Sequence, residues 1–199
     1  RTMKGSIDID YKALQTRVGR FLKGSSQTLA KSLAAAGITL YEGRGVCAGK
    51  GQAIVRSESG EEMLTTDNII LSCGSSSASF PGLAPDGDAV LDSTGVLNLP
   101  EVPESLIIVG AGAIGLELGD FFGMMGSKIT IVEAAPHIAP TEDADIAKEM
   151  DRVQSKAGRT CITGVMAKSL VTKDGQAELT LGDGRVLTAS KALVAVGRT

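Results

Sequence analysis

The second half of the 199-residue chain contains two short apolar runs with a stretch of helical spacing between them. The runs at 106–109 and 128–132 predict buried strands of a parallel sheet, because such strands are covered on both faces. In the stretch between them, glycines form a bare helical face at Gly115, Gly119 and Gly123. Apolar contacts are predicted beside that face from Ile114, Leu118, Phe121 and Met125. The pattern therefore predicts a strand–helix–strand unit.

The turn between the first strand and the helix has the spacing GxGxxG, and an acidic residue ends the second strand. Gly110 permits the tight turn, Gly112 allows backbone to approach a pyrophosphate at the helix N-terminus, and Gly115 lets the helix pack closely on the sheet. Glu133 follows the last glycine by 18 residues, where a carboxylate can accept hydrogen bonds from an adenosine ribose. The unit predicts a dinucleotide site; the alternative is a glycine-rich turn that binds nothing.

Upstream, helical spacing predicts a helix that Asp10 caps and Gly37 ends. Strands are predicted near 38–41, 46–48, 52–56, 62–65 and 68–72, with the last read as a buried strand. Residues 76–104 are rich in proline, serine and glycine, which is typical of a connector, with one helical turn near Asp92.

Downstream of Glu133, a second helix is predicted to be capped by Thr141 and ended by Gly158. Its buried stripe is predicted as Ile146, Met150, Val153 and Ala157. Five strands follow in the prediction, near 160–162, 166–172, 176–182, 185–189 and 191–195, of which the middle three form a meander.

The two halves share one order of elements: helix, glycine, strand, three-stranded meander and buried strand. Gly37 precedes Cys73 by 36 residues, and Gly158 precedes Val196 by 38. We interpret this as an internal repeat whose first copy lacks a counterpart of 106–133. The predicted class is α/β: a Rossmann-like dinucleotide-binding domain with a parallel sheet and a β-meander, preceded by the C-terminal part of a similar domain. We accordingly expect the chain to be a fragment, with a second fingerprint upstream.

Composition narrows the classes of function. A net charge of −3 provides no basic field for nucleic acid or anionic membranes, and no apolar run reaches membrane-spanning length. Cys47, Cys73 and Cys161 have spacings of 26 and 88 residues, which match no zinc or CxxC pattern. They favour a reducing compartment and are predicted as small core residues. No metal site is predicted, and His137 is predicted to lie on the surface.

The motifs SCGS, IIVGAGAIGLELG, IVE and VAVGRT resemble, in this order along the chain, those of the pyridine nucleotide–disulfide oxidoreductase family. The resemblance covers nearly the whole chain. It implies that residues 1–75 are the C-terminal part of an FAD-binding domain, that 76–104 connect the domains, and that 105–199 are an NAD-binding domain.

The resemblance also implies cofactor-binding positions. Those for NAD are Gly110, Ala111, Gly112, Ala113, Ile114, Gly115, Leu116, Glu117, Glu133, Val165 and Gly197. Those for FAD are Gly45, Cys73, Gly74 and Ser75. In the family pattern Glu117 lies near the nicotinamide, although a solvated helix residue is the alternative; Glu133 binds the ribose, Val165 lies beside the adenine, and Gly197 lies near the nicotinamide end.

Two features depart from the family pattern. Ser72-Cys73 stands where Ala-Thr is usual, and the chain has neither two cysteines four residues apart nor the family's catalytic His-Glu pair. No catalytic residue is therefore predicted here, and the chain alone is expected to be inactive.

For the whole protein, the resemblance implies a homodimeric flavoenzyme that oxidises dihydrolipoamide on a lipoyl domain of a 2-oxo acid dehydrogenase complex. Electrons would pass through a redox disulfide and FAD to NAD, in the mitochondrial matrix of a eukaryote or the cytoplasm of a bacterium. The alternatives are mercuric or another disulfide reductase of the family, and a non-catalytic nucleotide-binding module.

Overall fold

The computed structural model describes residues 9–199. The chain divides into two compact units, one of residues 12–74 and one that contains residues 75–199. Within the described residues, no helix combines the length and apolar character needed to cross a bilayer.

Residues 12–74 contain most of one long helix and an antiparallel meander. Helix α1 spans Tyr11–Ala35 and passes through Gly24 without a break. The Thr28 hydroxyl donates to the Gly24 carbonyl at 2.9 Å. Gly37, at φ +72°, ends the helix: its N–H donates to the Ala34 carbonyl and the Ile38 N–H donates to the Leu33 carbonyl, both at 3.0 Å. The meander has the order β1-β2-β3, with β1 at Arg44–Gly49, β2 at Gln52–Ser57 and β3 at Gly60–Thr65.

The strands predicted at 38–41 and 68–72 are wrong. Both segments are irregular and exposed, and Ile70 is 88% exposed. The apolar pattern alone cannot form a strand, because a strand needs a neighbour for its backbone hydrogen bonds. In the second half of the repeat, the corresponding segments are strands of a parallel sheet.

The larger unit is built on a five-stranded parallel sheet in the order β4-β11-β5-β6-β7. Its strands are β4 at Val90–Leu91, β5 at Ser105–Val109, β6 at Lys128–Val132, β7 at Thr160–Ile162 and β11 at Lys191–Val194. Residues 76–104, predicted as a connector, contribute β4 and the short helix α2, Ser93–Leu97, which Asp92 caps by accepting from the Gly95 N–H at 2.8 Å.

Alternate residues of β5 face opposite layers. Ile107 and Val109 share a core with Leu179 and Leu181 of an antiparallel meander. Its strands are β8 at Ala167–Lys173, β9 at Gln176–Leu181 and β10 at Val186–Ala189. Ile108 faces helix α3, Ala113–Met124, because a Cβ built on Gly119 would lie 2.9 Å from its Cδ1. The sheet is thus covered on both faces, as its apolar strands predict.

The predicted glycine face of α3 is confirmed, but its apolar contacts are shifted. Gly115 and Gly119 are buried together with Leu116 and Phe122. The predicted contact residues Ile114, Leu118, Phe121 and Met125 are only half-buried. Because the glycines bring the backbone itself against the sheet, the residues that flank them fill the core.

Helix α4 spans Ala144–Lys156, and two predictions for it are wrong. Asp143 occupies the N-cap position instead of Thr141. The buried residues are Ala147 and Gln154, whereas Ile146 and Val153, predicted to be buried, are 50% and 49% exposed. Gln154 is buried because its Oε1 accepts a hydrogen bond from Arg159 Nη1 at 2.8 Å.

Candidate dinucleotide-binding site

The site begins at the turn that leaves β5. Gly110 has φ +104°, and a Cβ at this position would collide with the Ala195 carbonyl oxygen. Its N–H donates to the Val132 carbonyl at 2.8 Å, which joins the turn to β6. Only glycine fits this position, since the backbone conformation and the space both exclude a side chain.

Gly112 and Gly115 play different parts in the same turn. Gly112 is the N-cap of α3 with φ −77°, and a Cβ built on it meets no atom within 4 Å. Its open side is where a ligand can approach the backbone. A Cβ on Gly115 would instead collide with the Gly110 carbonyl oxygen, so this glycine serves the packing of the helix against the turn.

The N-terminus of α3 faces this open side. The Leu116 N–H donates to the Gly112 carbonyl at 3.0 Å, which is the first hydrogen bond of the helical pattern. The N–H groups of Ala113, Ile114 and Gly115 precede it and have no i−4 carbonyl inside the helix. These groups and the helix dipole together favour an anion such as a pyrophosphate.

Glu133 follows β6 and is held by backbone groups on both sides. Its Oε2 accepts from the Ala111 N–H at 2.7 Å, and its Oε1 accepts from the Ala135 N–H at 2.8 Å. These two bonds fix the carboxylate between the glycine turn and the next loop. Each carboxylate oxygen keeps a further lone pair. The side chain can therefore accept two ribose hydroxyl hydrogens without losing its position.

A cavity of about 580 Å³ lies along the carboxyl edge of the parallel sheet. It brings together seven of the predicted site residues: Gly110, Gly112, Ala113, Ile114, Glu133, Val165 and Gly197. Ligands of open parallel sheets bind at this edge. Ala111, Gly115 and Leu116 are buried behind the turn, and Glu117 is exposed on α3.

Other lining residues were not predicted from the sequence. They are Phe80, Leu83, Val109, Val132, Ala134, Pro140, Thr141, Met166, Ala167, Ala195 and Val196. Most of them are neighbours of predicted residues, so extending each motif by one or two positions along its strand would have included them. Phe80 and Leu83 had no such signal, because they come from the segment predicted as a connector.

The positions that the resemblance relates to FAD lie elsewhere. Gly45 is in β1, and Cys73 and Gly74 are in an irregular exposed segment of residues 12–74. Ser75 belongs to the larger unit, where its Oγ accepts a hydrogen bond from Arg198 Nε at 2.7 Å. These positions stay predictions.

The predictions for cysteine are partly wrong. Cys47 and Cys73 are exposed thiols, and Cys161 on β7 is half-buried. Burial, with the nearby Asp151 carboxylate, raises the pKa of Cys161 to about 11, so it is a protonated thiol at neutral pH.

His137 is half-buried, with Nδ1 2.9 Å from the Ile138 carbonyl oxygen. Among residues 9–199 no cluster of side chains is suited to a metal ion.

The fold and the site define an α/β protein of the Rossmann type with a dinucleotide cavity at the sheet edge. The sequence matches the family described as pyridine nucleotide-disulphide oxidoreductase over residues 8–199, so the chain belongs to this family. The resemblance seen in the motifs is thereby confirmed. The family implies FAD and NAD(H) as cofactors, and the open glycine turn, the α3 N-terminus and Glu133 fit a dinucleotide.

Several relatives are dihydrolipoyl dehydrogenases. The enzyme of Chlorobaculum tepidum is 36% identical over 98% of this chain and 43% of its own length. The Bacillus subtilis enzyme is 32% identical with the same coverage of both chains. The human mitochondrial enzyme is 34% identical over 78% of this chain and 32% of its own. The chain thus spans less than half the length of these relatives.

Solved structures agree with the family. LpdA from Mycobacterium tuberculosis superposes with a TM-score of 0.88 at 25% identity, over 98% of this chain and 44% of that one. The HOCl-induced flavoprotein disulfide reductase RclA from Escherichia coli superposes in its Cu(II) complex with a TM-score of 0.86 at 27% identity, over 96% and 43%. The fold predicted from the sequence is therefore confirmed.

Proposed function

We propose that this chain is the NAD-binding part, and one wall of the FAD site, of a flavin-dependent dihydrolipoyl dehydrogenase. The whole protein would oxidise protein-bound dihydrolipoamide through a redox disulfide and FAD and reduce NAD. The observation that carries the proposal is the single cavity lined by the glycine turn, the α3 N-terminus and Glu133. The dihydrolipoyl dehydrogenases among the relatives support the choice of substrate.

The chain's own residues bind and orient the cofactor. In the proposal, N–H groups at the start of α3 hold the pyrophosphate over Gly112, and Glu133 accepts both hydroxyls of the adenosine ribose. Val165 lies beside the adenine, and Gly197 marks the nicotinamide end. When bound, NAD supplies the hydride acceptor of the reaction. Glu117 is assigned to the nicotinamide end, while Gly45 and Cys73-Gly74-Ser75 are assigned to FAD.

Glu133 favours NAD over NADP for an electrostatic reason. Its carboxylate attracts ribose hydroxyls, but it is a like charge to a 2′-phosphate at close range. Among the residues of 9–199 that line the cavity there is no lysine or arginine, and none occurs between Glu133 and Lys148 in the sequence. These lining residues therefore provide no cation to balance the extra phosphate.

The proposed whole protein is a homodimer that acts on the lipoyl domain of a 2-oxo acid dehydrogenase complex. Its proposed location is the mitochondrial matrix in a eukaryote, like the human mitochondrial relative, or the cytoplasm in a bacterium. The proposed domain limits are 1–75 for the FAD part, 76–104 for the connector and 105–199 for the NAD part.

Calorimetric titration of NAD and NADP into the 199-residue chain tests the proposal. We expect wild-type protein to prefer NAD. Glu133→Ala removes charge-assisted hydrogen bonds worth about 1.5–3 kcal/mol each, so NAD affinity should fall by roughly 10- to 100-fold. The difference in affinity between NAD and NADP should become smaller. Glu142→Ala is the matched control, because Glu142 is an exposed carboxylate of the same loop that does not line the cavity. Equal or tighter NADP binding by the wild type would refute the assignment of Glu133.

A second candidate is another disulfide reductase of the family, because the sequence motifs alone do not distinguish mercuric and related reductases from a dihydrolipoyl dehydrogenase. The superposition on RclA, a flavoprotein disulfide reductase, favours this alternative specifically. Both candidates use the same NAD site, so they differ in the dithiol or disulfide substrate. Steady-state turnover of the whole protein with dihydrolipoamide and NAD distinguishes them: robust NADH formation supports the dehydrogenase, and its absence supports the alternative.

A further inference from the structure

Residues 76–83 form a strap that borders the dinucleotide cavity. At its first end the strap pairs with the chain beyond β11. The Ser76 N–H donates to the Thr199 carbonyl at 2.7 Å, the Thr199 N–H donates to the Ser76 carbonyl at 2.9 Å, and the Ala78 N–H donates to the Gly197 carbonyl at 2.9 Å. This end of the strap is therefore fixed beside Gly197, which lines the cavity.

The second end of the strap is fixed on the meander. The Leu170 N–H of β8 donates to the Gly82 carbonyl at 2.7 Å, and Gly82 has φ +81°. Leu83 is buried in the core that contains Val109 and Val132. Because both ends are held by backbone hydrogen bonds, the residues between them have a defined position.

Phe80 lies between these two anchors, and its side chain lines the cavity although it is 56% exposed. It is the single aromatic residue among the eighteen that line the cavity in the described part of the chain. An aromatic face at the wall of a nucleotide cavity is suited to a planar ring of the ligand.

The strand order places Gly197, to which the strap is bonded at Ala78, relative to Glu133. Gly197 follows β11, the glycine turn follows β5 and Glu133 follows β6, and these strands are neighbours in this order. With strands about 4.8 Å apart, Gly197 and Glu133 leave the sheet roughly 10 Å apart. Glu133 marks the adenosine ribose in the proposed function, so the strap end at Gly197 lies toward the other half of the ligand.

We propose that Phe80 is a binding residue for the nicotinamide half of NAD and places its ring at the wall that the strap forms. This inference rests on the proposed function and adds a contact for the reactive end of the ligand. The oxidised nicotinamide ring carries a positive charge, which an aromatic face attracts in addition to stacking. The ring also remains exposed before binding, so the contact is available without rearrangement of the core.

Comparison of NAD with ADP-ribose, which lacks the nicotinamide ring, tests the inference by calorimetry on the 199-residue chain. We expect Phe80→Ala to weaken NAD by roughly 5- to 50-fold, which corresponds to the loss of one stacked ring, and to change ADP-ribose by less than about twofold. Phe80→Tyr keeps the aromatic face and should restore NAD binding. Phe21→Ala is the matched control, since Phe21 is an exposed phenylalanine that does not line the cavity.

Unchanged ADP-ribose binding by Phe80→Ala also shows that the variant is folded. Equal losses for both ligands, or no loss for either, overturn the inference about Phe80 while wild-type binding of NAD upholds the proposed function. If the wild type binds neither NAD nor ADP-ribose, the proposed function fails, and the inference fails with it.

Discussion

At the scale of single residues, Gly112 and Gly115 belong to one motif, but glycine is required at the two positions for different reasons. A side chain on Gly115 would collide with the Gly110 carbonyl, whereas the space next to Gly112 is open within 4 Å. Neither residue is held at positive φ. The fold therefore requires glycine at 115, and the proposed ligand requires it at 112.

A pair of alanine variants separates these roles. Gly115→Ala should lower the free energy of unfolding by about 1–3 kcal/mol, because it overpacks the contact between α3 and the turn. Gly112→Ala should cost less, about 0.5–1 kcal/mol for the loss of a glycine N-cap, yet weaken NAD by at least roughly tenfold, because a methyl group would displace the pyrophosphate from the N–H groups. Thermal unfolding and NAD titration of both variants check this. Equal loss of stability, or wild-type NAD binding by Gly112→Ala, would contradict it.

The local part of the site could be predicted from the sequence. The spacing from Gly110 to Glu133 lies within one strand–helix–strand unit, whose geometry is set by neighbouring residues. Phe80 could not be predicted, because its position depends on a hydrogen bond between Gly82 and Leu170, 88 residues apart. The exposure of Cys47 and Cys73 could not be predicted either, because residue type alone favoured burial.

At the scale of elements, the buried face of α4 is decided by a polar contact. Arg159 is 94% buried at its side chain and forms an ion pair of 2.6 Å with Asp120 of α3, besides its bond to Gln154. Gly123 leaves room for this guanidinium, because a Cβ there would lie 2.8 Å from Nε. The apolar pattern predicted that Val153 is buried. Instead Gln154 is buried, because it accepts a hydrogen bond from the buried Arg159 guanidinium.

Two neighbouring substitutions on α4 test this orientation. Gln154→Ala should lower the free energy of unfolding by about 1–3 kcal/mol, because it removes one of the acceptors of the buried Arg159 guanidinium. Val153→Ala should stay within about 0.5 kcal/mol of the wild type, since Val153 is half-exposed. Chemical denaturation of both variants measures the difference. A larger loss for Val153→Ala would show that the apolar stripe is the buried face after all.

Predicted strands are confirmed where a neighbouring strand is present in the described part of the chain. β7 and β11 pair with β6 and β5, and both were predicted as strands. The similar runs at 38–41 and 68–72 remain irregular. The sequence pattern reports a preference for burial, while the strand itself forms only when a neighbour supplies hydrogen bonds.

At the scale of the whole molecule, the two units differ in the share of their residues that is buried. Strands β5 and β11 are buried at all but one residue each, and β6 is buried at three of its five residues. Within residues 12–74, all of which the structure describes, no side chain is fully buried. Local stability follows buried contacts, so the two units should not be equally protected.

Hydrogen exchange followed by mass spectrometry measures this difference. Peptides from β5, β6 and β11 should exchange slowly, and peptides from residues 12–74, including most of α1, should exchange early because few buried contacts oppose their opening. The ratio of exchange rates between the units should reach at least about tenfold. Equal protection in both units would mean that residues 12–74 bury more than the structure shows.

An NMR titration of the 199-residue chain with NAD tests the central claim most directly, because it locates the ligand by residue. The account predicts saturable shifts of backbone amides around the cavity, at Gly112, Ala113, Ile114, Ala134, Val165 and Gly197. Amides of residues 12–74 should not move in the same titration. Shifts confined to residues 12–74, or no saturable shifts at the cavity, would contradict the assignment of this sheet edge as the NAD site.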